Sequence, residues 1–292
     1  SYMDIHNQLS LICQSGTATL IDSEKAVELY GINTFGQPQR FAGAIKVFEE
    51  SVIPQLLKLA NTAGFKLHPV STNNNWGYGS ILVNKDPVYL LDLSPLNSIT
   101  PTNKKLGLIT IGPGVTQQQL HDYLNEENWP HMVPVTGAGP SCSLVSNALE
   151  RGYGITPYTD HFYACNALKA YLPHPELCEQ KLSSAVSALD QSGNDFIDKT
   201  FKWGLGPYVD GLFTQSNLGV VTEMTLRLAK KPSSFCAFYI QIFEGDNFAK
   251  AVSFIRELLE SQSGMVGSIN LMDKRRLVSM TCENPNLDKD PI

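Results

Sequence analysis

The spacing of apolar residues predicts a chain that mixes helices and strands. Apolar positions three and four residues apart predict helices over 49–63, after Thr116 and over 144–149. Short apolar or alternating runs bounded by turn residues predict strands over 41–48, 65–70, 88–93, 106–111, 166–172 and 220–229. Because the first two strands enclose a helix, residues 41–70 predict a β-α-β unit, and the expected fold class is α+β.

The first forty residues have a simpler pattern. Residues 4–35 predict two helices separated by a turn, with Asp22 or Ser23 as the cap of the second helix and Gly31 as its end. This segment contains no arrangement of side chains that indicates chemistry. We therefore expect residues 1–39 to form an N-terminal helical arm.

The last sixty residues predict a separate, partial domain. Residues 230–232, Lys-Lys-Pro, close the last central strand, so we place a boundary there and assign residues 40–232 to the central domain. Strands over 235–243 and 266–271 with a helix between them would be about half of a ferredoxin-like sandwich. Half a sandwich leaves one apolar face of the sheet in residues 233–292 uncovered. We expect either that the chain has been shortened or that a second chain covers this face.

Glycines cluster in residues 134–163, on both sides of the short helix predicted over 144–149. Ser141 and Ser143 stand where an N-cap is expected, and glycine lets the main chain come close to a ligand. The unpaired N–H groups of a helix start suit a phosphate, a carbonyl or the edge of a bound ring. The stretch therefore indicates a segment that lines a ligand, with a glycine-rich surface loop as the alternative.

A Rossmann-type dinucleotide turn is a further interpretation of the same stretch. Residues 132–136 would be a strand, and residues 137–142 approximate the GxGxxG turn. The sixth position is Cys142 rather than Gly or Ala. Another glycine turn also follows the helix, where a Rossmann unit has a strand leading to an acidic residue. The match to this motif is weak.

An uncharged loop follows the strand predicted over 65–70. Residues 71–79 are Ser-Thr-Asn-Asn-Asn-Trp-Gly-Tyr-Gly, and no Lys or Arg occurs between Lys66 and Lys85. Asn and Gly tolerate the left-handed conformations that point successive N–H groups at one anion. The loop therefore suits a phosphate held by N–H groups, hydroxyls and amides, and a plain Asn-rich turn is the alternative.

Composition and charge exclude several classes of protein. The 292 residues are 42% hydrophobic and have a formal net charge of -6, from 22 Lys and Arg against 28 Asp and Glu. Nucleic acids and anionic membranes require a basic face, so neither is expected as a partner. The six cysteines form no CxxC, which argues against a metal site and a disulfide framework. No stretch is typical of a membrane span or a signal peptide, so a cytoplasmic protein is expected.

Three segments together resemble the vanillyl-alcohol oxidase and p-cresol methylhydroxylase family of flavoproteins. They are residues 71–79, residues 147–162 with the sequence NALERGYGITPYTDHF, and residues 203–219 with the sequence WGLGPYVDGLFTQSNLG. They occur in the family's order and at similar spacing, and the resemblance covers residues 40–232 well and 235–280 loosely. Because three separated signatures are more specific than one glycine turn, the resemblance overrules the Rossmann interpretation.

The resemblance implies a fold and a cofactor. The fold is a two-subdomain FAD-binding domain of the p-cresol methylhydroxylase type, followed by a partial cap domain. FAD is expected to bind without a covalent link, because the family's attachment residue lies in a part of the cap that this chain does not contain. The residues implied to bind FAD are Ser71, Thr72, Asn73, Asn74, Asn75, Trp76, Gly77, Tyr78 and Gly79 at the pyrophosphate, Pro134, Gly137, Ala138, Gly139, Ser143, Asn147, Gly152, Gly154, Ile155, Thr156 and Tyr158 along the ribityl chain and flavin, and Gly219, Val220 and Val221 at the adenine.

Several positions depart from the family's pattern. The pyrophosphate loop often contains Gly-Arg-Asn-Phe, whereas this chain has Asn-Asn-Asn-Trp at 73–76 and no arginine. Tyr78 matches a tyrosine that holds the phenolate of phenol substrates, and it is our candidate catalytic residue. The partner tyrosine is replaced by Ile155, and an acid near the flavin by Ala138. A single donor stabilises a phenolate poorly, which argues against a phenol substrate.

The resemblance implies an FAD-dependent oxidoreductase as the function. Such an enzyme takes a hydride from a small aromatic or alcohol substrate, at a CH–OH or CH–CH group, onto flavin N5. The alternative is a flavin-binding or interaction module without turnover, which the partial cap, Ile155 and Ala138 favour. Asp160 and His161 are expected to hold the turn beside the flavin. We expect a homodimer or a second chain to cover the incomplete cap.

Overall fold

The computed structural model describes residues 2–34, 36, 39–77, 87–154, 159–185, 196–203, 206–243 and 247–286. The chain divides into two compact units, residues 1–233 and residues 234–292. The α-helices of the described chain are α1 Tyr2–Cys13, α2 Ser23–Tyr30, α3 Ile53–Ala63, α4 Gln117–Glu126, α5 Leu144–Leu149, α6 Ile197–Thr200, α7 Asn247–Ser261 and α8 Lys274–Ser279. The strands are β1 Ala18–Asp22, β2 Gly43–Val47, β3 Lys66–Val70, β4 Val88–Asp92, β5 Ile99–Asn103, β6 Leu108–Ile111, β7 His131–Met132, β8 Cys165–Tyr171, β9 Leu182–Ser183, β10 Val220–Arg227 and β11 Ala229–Lys230.

The first sheet has four strands in the order β1-β2-β4-β3. Strands β2 and β3 both run parallel to β4, and α3 crosses from β2 to β3. Gly64 ends α3 in the left-handed conformation, with φ 76°, and its N–H bonds to the carbonyl of Ala60. The predicted β-α-β unit is therefore confirmed, and the carboxyl ends of its strands meet at one edge of the sheet.

The N-terminal segment joins this sheet, which corrects the expected helical arm. Residues 18–22 form β1 and pair antiparallel with β2, with Ala18 opposite Val47. The side chain of Leu9 on α1 is fully buried in the core of the same sheet. β1 forms because it hydrogen-bonds to the free edge of β2, and that long-range pairing outweighs the local preference for a turn.

The second sheet is antiparallel and has five strands in the order β5-β6-β10-β8-β9. Its central strand is β10, which forms where a strand was predicted over 220–229. Buried hydroxyls pair across the sheet: Thr110 Oγ1 lies 2.8 Å from Thr225 Oγ1 and 2.7 Å from Thr102 Oγ1. These contacts satisfy polar atoms that lie out of reach of water. The strands of both sheets, with the helices around them, confirm the α+β class.

One lysine links the two sheets. Lys181 Nζ lies 2.9 Å from Glu50 Oε1, just before α3, and 2.9 Å from Glu223 Oε2 on β10. All three side chains are less than a third exposed. Burial lowers the pKa of Lys181, but the hydrogen bonds to Glu50 and Glu223 outweigh it, so the net pKa lies above the ordinary value. The lysine therefore stays charged and joins the segment before α3, which packs on the first sheet, to β10 of the second sheet.

The second unit, residues 234–292, contains two described helices. No residue of α7 or α8 is buried, and Asp273 caps the start of α8. Within the described residues, the strands expected over 235–243 and 266–271 are not formed, which corrects that part of the ferredoxin-like prediction. A strand requires hydrogen bonds to a neighbouring strand, and the described part of this unit provides none.

None of the helices in the described ranges combines the length with the apolar character that a bilayer crossing requires.

A buried histidine forms part of β7, in the two-stranded sheet of β7 and β11. His131 is 2% exposed, and its ring centroid lies 5.7 Å from that of Trp129. A Cβ atom on Gly107 would lie 2.8 Å from the His131 ring, so glycine is required there. Burial, together with the charges of Lys230 and Lys104, lowers the pKa of His131. The imidazole is therefore neutral in the folded protein at neutral pH.

The lowered pKa of His131 predicts a pH-dependent stability. Below about pH 6.5 the unfolded chain binds a proton at this histidine that the folded chain resists, so the free energy of unfolding falls by up to about 1.4 kcal/mol per pH unit until the folded pKa is reached. His131→Phe is expected to remove this part of the slope in urea titrations between about pH 7 and 5. An unchanged slope in His131→Phe would contradict the prediction.

Candidate functional site

The loop after β3 is hydrogen-bonded to the segment that contains α5. Ser71 Oγ lies 2.5 Å from Ser146 Oγ on α5, and Asn74 Nδ2 donates to Ser141 Oγ just before that helix. The apolar side chains of α5 pack in the core of the second sheet, whereas residues 71–77 continue from the first. Two of the three segments predicted to bind FAD are therefore brought together at the junction of the two sheets.

The loop itself is fixed by two left-handed residues and by Thr34. Asn73 has φ 53° and Gly77 has φ 72°, conformations that Asn and Gly adopt readily. The N–H of Gly77 donates to Asn75 Oδ1 at 2.6 Å. The Gly77 carbonyl accepts from the N–H and the hydroxyl of Thr34, at 3.0 and 2.8 Å. These hydrogen bonds hold residues 71–77 in place with neutral groups.

Trp76 packs over the glycine turn before α5. A Cβ atom on Gly137 would lie 3.1 Å from the indole ring of Trp76, so the ring covers this glycine closely. Ala138 and Gly139 follow in the same turn, and Gly139 has φ 102° with no heavy atom within 4 Å of an added Cβ. The turn is therefore covered by tryptophan at Gly137 and has open space beside Gly139.

A buried glutamine on α4 holds this turn from beneath. Gln117 Nε2 donates to the carbonyls of Gly139 at 2.6 Å and Thr136 at 3.3 Å, and Gln117 Oε1 accepts from the N–H of Thr136 at 2.7 Å. The capping box of Thr116 and Gln119 fixes the start of α4 and hence the position of Gln117. One amide side chain therefore holds both ends of the turn, in addition to the main-chain bonds that Gly139 and Pro140 accept.

Helix α5 has the predicted bounds and the predicted cap. It spans Leu144–Leu149, and Ser143 Oγ accepts from the N–H of Ser146 at 3.1 Å. The same hydroxyl donates to the carbonyl of Pro113 at 2.6 Å. Ser143 is buried and both of its hydrogen-bonding functions are used within the protein, so it acts as a structural N-cap.

The glycines after α5 make room for protein side chains. A Cβ atom on Gly152 would lie 1.9 Å from Asn147 Oδ1, and one on Gly154 would lie 2.0 Å from His161 Nε2. Asn147 Nδ2 and His161 Nδ1 are hydrogen-bonded to each other. The close approach expected at these positions is present, but the atoms that approach belong to the chain itself.

The Asp160 side chain holds the same turn together. Asp160 Oδ1 accepts from the N–H of Phe162 at 3.1 Å, and the Arg151 guanidinium pairs with the Asp160 carboxylate. Arg151 itself has φ 55° and directly precedes Gly152. These contacts, with those of the buried His161, agree with the turn-holding role expected for Asp160 and His161.

The residues predicted to bind the adenine of FAD lie at the start of β10, far from these loops along the chain. Val220 and Val221 are buried, Val220 in the core of the first sheet and Val221 in that of the second. Their side chains are occupied by packing, so a ligand at this point meets main-chain atoms. Pro134 is buried between β7 and the glycine turn. The predicted residues Tyr78, Gly79, Ile155, Thr156 and Tyr158 lie outside the described residues.

An open cavity of about 480 Å³ lies beside the loop after β3. It is lined by Leu29, Tyr30, Lys46, Thr72, Asn73, Asn74 and Ser141. Ser141 Oγ accepts from Asn74, so its own hydrogen remains available for a ligand. Hydroxyls, amides and one ammonium group are the donors that phosphate oxygens accept from, and the cavity therefore fits the pyrophosphate of a dinucleotide.

Two residues of this site were not found from the sequence. Lys46 on β2 supplies a cation that the loop lacks. The feature of the sequence that could have indicated it is a single charged residue in the otherwise apolar strand 41–48. Gln117 supports the glycine turn from a helix twenty residues earlier in the chain. No local pattern marked it, because its partners are main-chain atoms of a different segment.

The cysteine in the glycine turn is not a nucleophile. Cys142 is buried, and burial raises the pKa of its thiol to about 11. A thiol with this pKa is protonated at neutral pH, whereas nucleophilic cysteines act as thiolates. Among the described residues of the site, this cysteine therefore serves as a packed side chain and not as a thiolate.

Residues 42–178 match the family model described as FAD binding domain. Curated proteins are also similar in sequence, among them the following two. The 1'-carboxy-chondrochloren decarboxylase of Chondromyces crocatus is 34% identical over 271 residues, which are 92% of this chain and 48% of that protein. The 4-cresol dehydrogenase (hydroxylating) flavoprotein subunit of Pseudomonas putida is 31% identical over 209 residues, which are 71% of this chain and 39% of that protein. The chain spans about half the length of these relatives, or less.

Solved structures show the same fold. p-Cresol methylhydroxylase with bound substrate superposes with a TM-score of 0.74 at 25% identity, over 89% of this chain and 50% of that one. The 4-ethylphenol oxidase of Gulosibacter chungangensis superposes with a TM-score of 0.68 at 23% identity, over 80% and 43% of the two chains, a likeness in fold alone. Fold and loops thus define an α+β FAD-binding domain of the p-cresol methylhydroxylase type.

The chain belongs to the vanillyl-alcohol oxidase and p-cresol methylhydroxylase family, and its cofactor is FAD. This confirms the resemblance drawn from the three sequence segments.

Gln117→Leu is expected to loosen the glycine turn. The substitution leaves the N–H and the carbonyl of Thr136 without their partner, while the carbonyl of Gly139 keeps its bond from the N–H of Cys142; this costs about 2–3 kcal/mol in free energy of unfolding and weakens FAD binding. Gln118→Leu is the matched control, because Gln118 is the exposed neighbour on the same helix and its loss costs less than about 0.5 kcal/mol. Equal unfolding midpoints for the two variants in urea would contradict the role of Gln117.

Gly154→Ala is expected to disrupt the turn after α5. The added methyl group would overlap the His161 ring and lie 2.5 Å from the carbonyl of Val135, at a cost of about 2–3 kcal/mol. Gly211→Ala is the control, since the nearest atom to its Cβ would be at an ordinary 3.6 Å. Thermal unfolding of the two variants checks the difference, and a Gly154→Ala protein as stable as Gly211→Ala would refute the assignment.

Proposed function

We propose that this protein is an FAD-dependent oxidoreductase that transfers a hydride from a small aromatic or alcohol substrate to flavin N5. The observation that supports this most is the pair of loops, residues 71–77 and 136–143, bonded together beside a donor-lined cavity. When bound, FAD supplies a two-electron acceptor, which the side chains of the site do not provide. A module without turnover is not favoured, because both curated relatives are named as enzymes.

The chain's own residues bind and orient the cofactor in this proposal. Thr72, Asn73, Asn74 and Ser141 would hold the pyrophosphate with neutral donors. The main chain of the turn at 137–139 would border the flavin. At 219–221 the main chain would meet the adenine, because the valine side chains there are buried. We propose that the link to FAD is non-covalent.

Tyr78 is the proposed catalytic residue. Its hydroxyl would donate a hydrogen bond to a substrate oxygen and so hold the reacting carbon in place, as the resemblance implies. A substrate with an alcohol or ether oxygen needs less charge stabilisation than a phenolate. The replacement of the partner tyrosine by Ile155 therefore favours such a substrate.

Removal of a carboxyl group is a second candidate function. The relative that covers 92% of this chain is named as a decarboxylase. The sequence match to this decarboxylase is long enough to include both units of the chain. The match to the dehydrogenase subunit covers 71% of the chain. An aromatic acid is therefore included among the substrates to test.

The purified protein is expected to show flavin absorbance between about 400 and 500 nm, which aromatic alcohols bleach in the absence of oxygen and added reductant. Tyr78→Phe should slow this reduction roughly 100-fold with FAD still bound, and Tyr153→Phe, at an exposed tyrosine, should not. Acid precipitation is expected to release the flavin.

Different results distinguish the candidates. Bleaching by aromatic acids with release of CO2, and none by alcohols, would favour the decarboxylase. Bound FAD that no alcohol, phenol or acid reduces would contradict both enzymatic proposals and return the non-catalytic module.

A further inference from the structure

Lys46 lines the cavity at the loop after β3, and within the described residues it has no ion-pair partner. It is the charged residue of β2, and its register partner in the parallel pair with β4 is Asp92. In the described part of the chain, no hydrogen bond or ion pair within 4.0 Å joins the Lys46 ammonium group to another residue. A half-buried lysine that forms no ion pair with the neighbouring carboxylate has its charge available to a ligand.

Asp92 is satisfied by other groups. The Tyr30 hydroxyl donates to Asp92 Oδ2 at 2.6 Å, and the N–H of Ser94 donates to Asp92 Oδ1 at 2.9 Å. Burial and the hydrogen bond to Asp92 raise the pKa of Tyr30, so the tyrosine stays a donor. Both carboxylate oxygens are thus engaged by groups other than Lys46.

The rest of the cavity presents donors to the same space. Thr72, Asn73 and Asn74 line it together with Lys46 and with Ser141 from the turn before α5. The loop at 71–77 contains no Lys or Arg. Among the described residues that line the cavity, the cation that would balance the charge of a bound anion is Lys46 on the strand. Charge-assisted hydrogen bonds from lysine to phosphate are roughly twice as strong as neutral ones.

We propose that Lys46 is the cationic contact of the FAD pyrophosphate and takes the place of the arginine that the loop lacks. The proposal rests on the placement of the pyrophosphate at this loop made above. Because β2 is an inner strand of the first sheet, the sheet sets the position of the lysine, and the loop contributes geometry through neutral donors.

Equilibrium titration of the deflavinated protein tests this proposal. FAD, ADP and riboflavin are the probes, since the first two contain a diphosphate and riboflavin has no phosphate. Lys46→Met is expected to raise the Kd for FAD and ADP roughly 10- to 100-fold, to leave riboflavin binding unchanged and to reduce the salt dependence of FAD binding. Lys46→Arg should restore most of the affinity. Lys58→Met, at an exposed lysine on α3, should bind all three as the wild type does.

Two results would overturn the proposal. One is an unchanged Kd for FAD and ADP in Lys46→Met. The other is an equal loss for FAD and riboflavin, which would indicate general damage to the site, and thermal unfolding of Lys46→Met would show it. Reduction of the bound flavin by substrate is measured separately, so failure of the proposed reaction leaves the Lys46 result standing, and the reverse also holds.

Discussion

The contact between two loops from different sheets is the constraint on which the cofactor site depends. A long cofactor that lies between two subdomains needs hydrogen-bond donors from both, and the distance between the two sets of donors must stay constant. Ser71 with Ser146, and Asn74 with Ser141, fix that spacing by side-chain hydrogen bonds. Each contributes only about 1 kcal/mol. The charged bridge of Lys181 adds a second point at which the two layers are joined.

The absence of cations from the loop at 71–77 has a physical advantage. Neutral amides and hydroxyls hold their positions through contacts with one another, as Asn75 and Thr34 do with Gly77. Long cationic side chains in the loop would repel each other and lose more conformational entropy on binding. A cation placed on a strand avoids both costs, because its backbone is already ordered. Lys46 on β2 has that position.

The sequence indicated those elements whose causes are local. The β-α-β unit, the caps at Thr116 and Ser143, and the bounds of α5 all follow from periodicity and capping chemistry within a few residues. The features that the sequence did not predict correctly depend on partners far along the chain. β1 forms because it pairs with the edge of β2 that β4 leaves open. Gln117 matters because the turn at 136–139 lies above it. The strands expected after residue 234 lack a described partner strand.

The glycines of the three signature segments show what a sequence pattern can and cannot identify. Each marks a close approach, but Gly152 and Gly154 face Asn147 and His161, so protein atoms fill the space that a Cβ would take. A ligand can then reach those residues only through main-chain atoms. Gly139 differs, because the space beside it is open and its φ of 102° disfavours any other residue. If FAD lies along these loops as proposed, the turn at 137–139, held by Gln117 and covered by Trp76, is the segment whose main chain a flavin could approach most closely.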